Sequence, residues 1–133
     1  MKKHLLHFAA GFLSTLIFHQ GLLGLIFLAG VALVKPYNMN PTEPLGVPAV
    51  ISLAFFGGLW GILIGYLIKN DSKAKFWIKA ILLGAIGPTA VAFLVVFPLK
   101  GIAINPVMIP FGLLLNGMWG FGHGLFMKLF FRK

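Results

Sequence analysis

The sequence predicts an all-α membrane fold: four transmembrane helices in one domain over residues 1–133, built as two repeated antiparallel hairpins (halves about 5–69 and 76–130) with both termini cytoplasmic. Three observations carry that prediction. Hydrophobic residues make up 59% of the chain and charged residues only 10%, too few to coat a soluble core of this size. The apolar residues fall into four runs, each at or above the roughly 17–25 residues that cross a bilayer as a helix. A motif rich in glycine and tryptophan also occurs twice, 59 residues apart.

The first run covers about Leu5–Val34. Met1-Lys2-Lys3 ahead of it resembles the start of a secretory signal, and Gly30-Val31-Ala32 offers a small-x-small site. The stretch from Phe8 to Val34 is about 27 residues, against the roughly 7–15 of a signal core, so it reads as a retained span. The second run, Val47–Ile68, opens with Pro48, which suits a first helical turn. The third, Phe76–Leu99, carries Gly87-Pro88, where a kink and a freed carbonyl are expected. The fourth is Pro106–Phe130.

Orientation follows from the cations. Lys2, Lys3, Lys69, Lys73, Lys75, Lys79, Lys128, Arg132 and Lys133 fall on one side, and only Lys35 and Lys100 on the other. By the positive-inside rule the first side is cytoplasmic. Asn70-Asp71-Ser72-Lys73 is then a tight inner turn that makes helices two and three antiparallel neighbours, with Phe76, Trp77 and the nearby lysines as an interfacial anchor. Phe130-Phe131-Arg132-Lys133 reads as a terminal anchor. The outer loop Lys35–Pro44 holds three prolines and is expected to be extended and stiff, a docking surface around Tyr37 and Met39.

The repeated motif is Gly57-Gly58-Leu59-Trp60-Gly61 continuing to Gly65 and Lys69, and Asn116-Gly117-Met118-Trp119-Gly120 continuing to Gly124 and Lys128. Small residues at every fourth position (Gly57, Gly61, Gly65; Asn116, Gly120, Gly124) form a smooth helical stripe against which another backbone can approach closely. Ala80, Gly84, Pro88 and Ala92 make a similar stripe on helix three, and Gly11 and Thr15 a looser one on helix one. Trp60 and Trp119 lie deeper than the interfacial belt that tryptophan prefers, so they are expected to pack against the glycines, each indole N–H seeking an acceptor.

Polar side chains inside the spans are few: His19, Gln20, Thr89 and Asn116 near mid-depth. In hydrocarbon they must turn inward and find partners. Two readings stand. They form a polar pocket, with His19 and Asn116 in contact or bridged by water, or they serve as interhelical hydrogen bonds. His7 and His123 are the one pair placed for a bis-histidine haem, with nothing else in support, and no cofactor is expected.

Several classes are excluded. Cysteine is absent, which removes disulfides and thiolate metal sites. Glu43 and Asp71, the two acids, lie on opposite sides, and no catalytic triad, phosphate loop or metal-ligand spacing occurs. An enzyme is not expected. The net charge of +9 sits at the ends of apolar runs, where it anchors to anionic headgroups and gives no sign of nucleic acid.

Phe18-His19-Gln20-Gly21, Pro36-Tyr37-Asn38-Met39, Pro44-Leu45-Gly46-Val47-Pro48, Ala54 through Gly61, Pro98-Leu99-Lys100-Gly101 and Asn116 through Gly120 together resemble a group of uncharacterised small four-helix bacterial inner-membrane proteins. The resemblance implies a multi-pass protein of the bacterial inner membrane and supplies no mechanism. Two functional classes remain. One is a non-enzymatic packing protein, self-associating or an accessory subunit of a larger membrane complex, with a glycine stripe facing the partner. The other is a small transporter, channel or lipid-handling protein working through a pocket around His19 and Asn116.

Overall fold

A computed structural model of the chain describes residues 1–32 and 34–131. It is mostly helical. Helix α1 runs Lys2–Leu28, α2 Ala49–Ile68, α3 Lys73–Leu99 and α4 Met108–Phe130. A short β-pair, β1 (Pro41–Thr42) and β2 (Val47–Pro48), closes antiparallel just before α2. The all-α expectation therefore holds with that one addition. Arg132 and Lys133, expected to anchor the C-terminus, lie outside the described residues.

Three helices, α1, α2 and α3, are long and apolar enough to cross a membrane. Helix α4 has the length, at 23 residues, but its apolar character is diluted by Asn116, His123 and the glycines of the repeated motif. The outer surface is apolar along the helices: Leu63, Leu82, Ile86 and Leu114 are each about half exposed or more. A water-soluble domain rarely carries so continuous an apolar coat.

Two boundaries depart from expectation. Helix α1 ends at Leu28, six residues short of Val34, because the chain reverses at Gly30, whose φ of +77° suits glycine. The following residues fold back along α1, bringing Pro36 against Gly24 and Tyr37 to Gln20. Helix α3 runs unbroken through Pro88; its irregularity is a π turn one turn later, at Ala92–Val96. A matching π turn occupies Thr15–His19 of α1.

The helices pack as two close pairs. In the first, α1 crosses α2 where Gly11 meets Gly61: a Cβ added to Gly61 would stand 2.9 Å from the Gly11 Cα. In the second, α3 crosses α4 where Gly84 meets Gly120, an added Cβ standing 2.7 Å from the Gly120 Cα. The neighbouring stripe positions follow suit, Gly57 against Thr15, Gly65 against His7, and Gly124 against Phe76, Trp77 and Ala80. The stripes thus face helices of the same chain. The expectation that a stripe turns outward to a partner is corrected on this point: Gly57, Gly61 and Gly65 are covered by α1, and Gly120 and Gly124 by α3.

The pairs join chiefly through α1 and α4. Trp119, 2% exposed, donates its Nε1–H to the Gly11 carbonyl at 2.9 Å. Ser14 Oγ donates to the Trp119 carbonyl at 2.6 Å. Trp60, the corresponding residue of α2, lies against Gly87 of α3 and is only half-buried. Helices α2 and α3, joined by the tight turn, are sequence neighbours but pack less closely than either pair. At that turn Asp71 is clasped by Lys79 at 2.9 Å and Lys75 at 3.0 Å, so two of the anchor lysines are engaged in ion pairs.

Candidate functional site

The buried polar residues are His7, Ser14, Thr15, Gln20, Thr89 and His123. Four of the six belong to α1. The π turn explains part of this: one extra residue per turn shifts the helical phase, so Gln20 stays on the inward side after Thr15.

Of the four residues expected to share one pocket, the hydrogen bonds make two separate pairs. Asn116 Nδ2 donates to Thr89 Oγ1 at 2.9 Å across the α3–α4 interface. Gln20 Nε2 and His19 Nδ1 lie 3.1 Å apart on α1. No hydrogen bond links the two pairs among the described residues. Each has a nearer partner, which is why the single pocket does not assemble: Thr89 takes the Asn116 amide, and the Gln20 carbonyl oxygen is occupied from elsewhere.

That second partner is Tyr37. Its backbone N–H donates to Gln20 Oε1 at 2.7 Å, and its hydroxyl donates to the Leu16 carbonyl, inside the π turn, at 2.7 Å. Tyr37 sits at φ +55°, a left-handed conformation that costs a bulky residue of order 1 kcal/mol and persists because the surroundings over-determine it. The strap from Val34 to Asn40 is therefore latched down on α1 near its middle. A cavity of about 340 Å³ opens beside it, lined by Val34 through Asn40 and so by Lys35, Asn38 and Asn40 among others. Beyond it, Ala49 N–H donates to Asn40 O and Val50 N–H to Asn38 O, so the strap also carries the start of α2. Of the two expected docking residues, Tyr37 has its polar groups turned inward and Met39 projects, 64% exposed.

A second polar cluster holds His7 and His123, the pair that the sequence set apart only as an unsupported haem candidate. His123 is wholly buried, stacked on Trp119 with ring centroids 5.2 Å apart and planes 2° from parallel. The Gly61 carbonyl faces it, yet among the described residues neither ring nitrogen has a well-aligned hydrogen-bond partner. His7 lies within electrostatic reach of His123 and packs its ring on Phe131 at 4.7 Å, its Nδ1 against Gly65 and likewise unpartnered. A signal existed in the spacing: His7, Gly11, Ser14 and Thr15 recur at three and four residues, one face of a helix. Among the described residues no cluster of three or more His, Asp or Glu is placed to hold a metal ion.

The remaining motif residue, Gly117, is the counterpart of Gly58. Phe8 covers Gly58, whereas Gly117 borders an open apolar groove of about 470 Å³ with Ile81 and Ala85. No family model, curated protein or solved structure matches the chain.

Proposed function

We propose that this is an integral protein of the bacterial inner membrane, with four spans, cytoplasmic termini and repeated hairpins. We further propose that it works without catalysis, as an accessory subunit docking a larger membrane protein on its outer face. The single observation that supports the docking surface is the latched strap. Tyr37 is held in a left-handed conformation by two hydrogen bonds, and this rigid support presents Met39 beside a polar cavity. Rigid presentation lowers the ordering cost of binding. With the glycine stripes occupied inside the chain, the strap offers a polar outer surface for a partner to recognise. The span count is supported by the length of α4 and by the cations at the helix ends. The repeat is supported by the like crossings, Gly11 on Gly61 and Gly84 on Gly120.

The test is co-purification from membranes in mild detergent, comparing the wild type with Met39→Glu. The charge is placed on an exposed side chain, so the fold should survive; loss of a stoichiometric membrane partner at unchanged monodispersity is the expected result. Retention of the same partner by Met39→Glu would remove the strap as the docking surface.

A further inference from the structure

Gly58 of α2 is covered by the Phe8 ring from α1, but a Cβ added to its counterpart Gly117 would meet only Ala85 and Ile81, in ordinary contact. The result is the apolar groove of about 470 Å³ between α3 and α4. Ile81 and Ala85 form one wall and Leu113, Leu114 and Phe121 the other, with buried Gly117 as the floor. Every lining residue is apolar, so a polar solute finds nothing there to bond. A void would forfeit the dispersion contacts of its walls, so within a membrane the groove is filled either by a lipid chain or by another helix.

The basic end of the groove decides between them. Lys73, Trp77, Ile81 and Ala85 follow one another at steps of four along α3, one turn after the next. Ile81 and Ala85 therefore lie about 12–18 Å from Lys73 along the axis, against about 15 Å for one leaflet of the hydrocarbon core. Trp77, half-buried, stacks on Phe121 with ring centroids 5.5 Å apart, so an amphipathic ring stands where the groove meets the headgroups.

Lys73 is exposed, and its neighbours are engaged: Lys75 and Lys79 hold Asp71, and Lys128 lies over the Phe76 ring at 4.3 Å. Among the described residues Lys73 has no acidic partner. A second copy of the chain has none to offer. Its only acids are Asp71, already clasped, and Glu43, which lies between β1 and β2 at the opposite end of α2. A phospholipid with a net negative headgroup supplies both the missing anion and the hydrocarbon.

We propose that the α3–α4 groove binds one anionic phospholipid from the leaflet at the basic end, an acyl chain lying over Gly117 and the phosphate facing Lys73. The site rests on the membrane-embedded reading and is independent of the docking role of the strap.

Native mass spectrometry of the protein released from detergent tests it. Dioleoyl phosphatidylglycerol and dioleoyl phosphatidylcholine are supplied in equal amounts, since they share their chains and differ in net charge. The wild type should retain one lipid with about a fivefold preference for phosphatidylglycerol, the effect of one lysine near a membrane surface. Lys73→Gln should bind either lipid without preference, and Lys100→Gln, at the far end of α3, should match the wild type. Gly117→Leu, whose side chain occupies the groove, should retain neither. Equal retention of the two lipids by the wild type overturns the proposal, as does an undiminished preference in Lys73→Gln. A dimer that forms in place of the lipid adduct and that Gly117→Leu dissociates also overturns it, giving the groove to a second copy. Lys73 is exposed, so its variant keeps the fold and decides the matter if Gly117→Leu does not. Protease protection in liposomes checks the membrane-embedded reading separately. A chain digested throughout overturns both, whereas a protected chain with no preference for phosphatidylglycerol overturns the lipid site alone.

Discussion

Replacing Gly61 by alanine adds one methyl group where two backbones touch. The new carbon would stand 2.5 Å from the His7 carbonyl oxygen, 2.9 Å from the Gly11 Cα and 3.0 Å from the Gly11 nitrogen, and all three neighbours are main chain. Ordinary carbon contacts lie near 3.5–4.0 Å, so α1 and α2 must part by roughly 0.6–1 Å. A gap of that size forfeits about a quarter to a half of the dispersion at the crossing, and overpacking of this kind costs about 1–3 kcal/mol. Alanine returns about 0.5–1 kcal/mol through its helix propensity, leaving a net loss of about 1–2 kcal/mol. Gly117→Ala is the control on the same motif. Its carbon lands 3.6 Å from Ala85 Cβ and 3.9 Å from Ile81 Cγ2, in ordinary contact, so only the propensity gain remains. The propensity gain is common to both, so the two variants should differ by the overpacking cost, about 1–3 kcal/mol, when unfolded from mild detergent by titration with a denaturing one, followed by circular dichroism. If Gly61→Ala unfolds together with Gly117→Ala or after it, the close crossing is not what holds the first pair.

Asn116→Ala and Thr89→Val should each destabilise the α3–α4 pair, and the double variant should show a coupling of about 0.6 kcal/mol, typical of hydrogen bonds between membrane helices; additive effects would deny the pairing. Trp119→Phe keeps the ring and removes the bond to Gly11, and a loss of about 1 kcal/mol in the same unfolding titration is expected. Asp71 is held below the usual carboxylate range by its hydrogen bonds from Lys79 and then Lys75. A depressed carboxylate stabilises above its unfolded pKa of about 3.9 and loses that contribution as pH falls through the lower folded value. The wild type should therefore lose melting temperature below about pH 4 more steeply than Asp71→Asn; parallel curves would show the clasp to be idle.

Much of the architecture could be read from apolar run length and from small residues spaced by four. Both depend only on local geometry: a glycine at every fourth position makes a ridge whatever lies opposite. What lies opposite was less legible. Gly57, Gly61 and Gly65 fit an external partner as well as they fit α1, and nothing in the order of residues distinguishes the two. The polar pocket failed for a different reason. Equal depth on four helices does not give equal azimuth, and the π turn at Thr15–His19 changes the azimuth of everything after it on α1. Tyr37 reaches Gln20 only because the chain reverses at Gly30, a turn hidden within an apolar run that sequence reads as one long helix. Thr89 and Asn116 meet because both lie one turn from the Gly84–Gly120 crossing, which the stripes themselves locate.

The two pairs differ most in how their tryptophans are seated. Gly11 and Gly84 serve the same crossing, and so do Gly61 and Gly120, yet the tryptophans beside them have unlike environments. Trp119 reaches across to α1, is nearly sealed from the surface and has its N–H bonded; Trp60 reaches across to α3 and remains half-buried against Gly87. A two-fold arrangement with both tryptophans equally seated would need α2 and α3 to pack as tightly as α1 and α4. The tight Lys69–Ser72 connection holds them together at one end only. Closing the α1–α4 side instead brings Gly11 and Ser14 of one pair against Trp119 and Gly122 of the other. The pairs are thus joined mainly along the side where Trp119 and Ser14 are buried. A stripe of glycine can close either side. Only the α1–α4 side adds side-chain hydrogen bonds to that closure, from Trp119 to the Gly11 carbonyl and from Ser14 to the Trp119 carbonyl, and among the described residues the α2–α3 side has no counterpart to them.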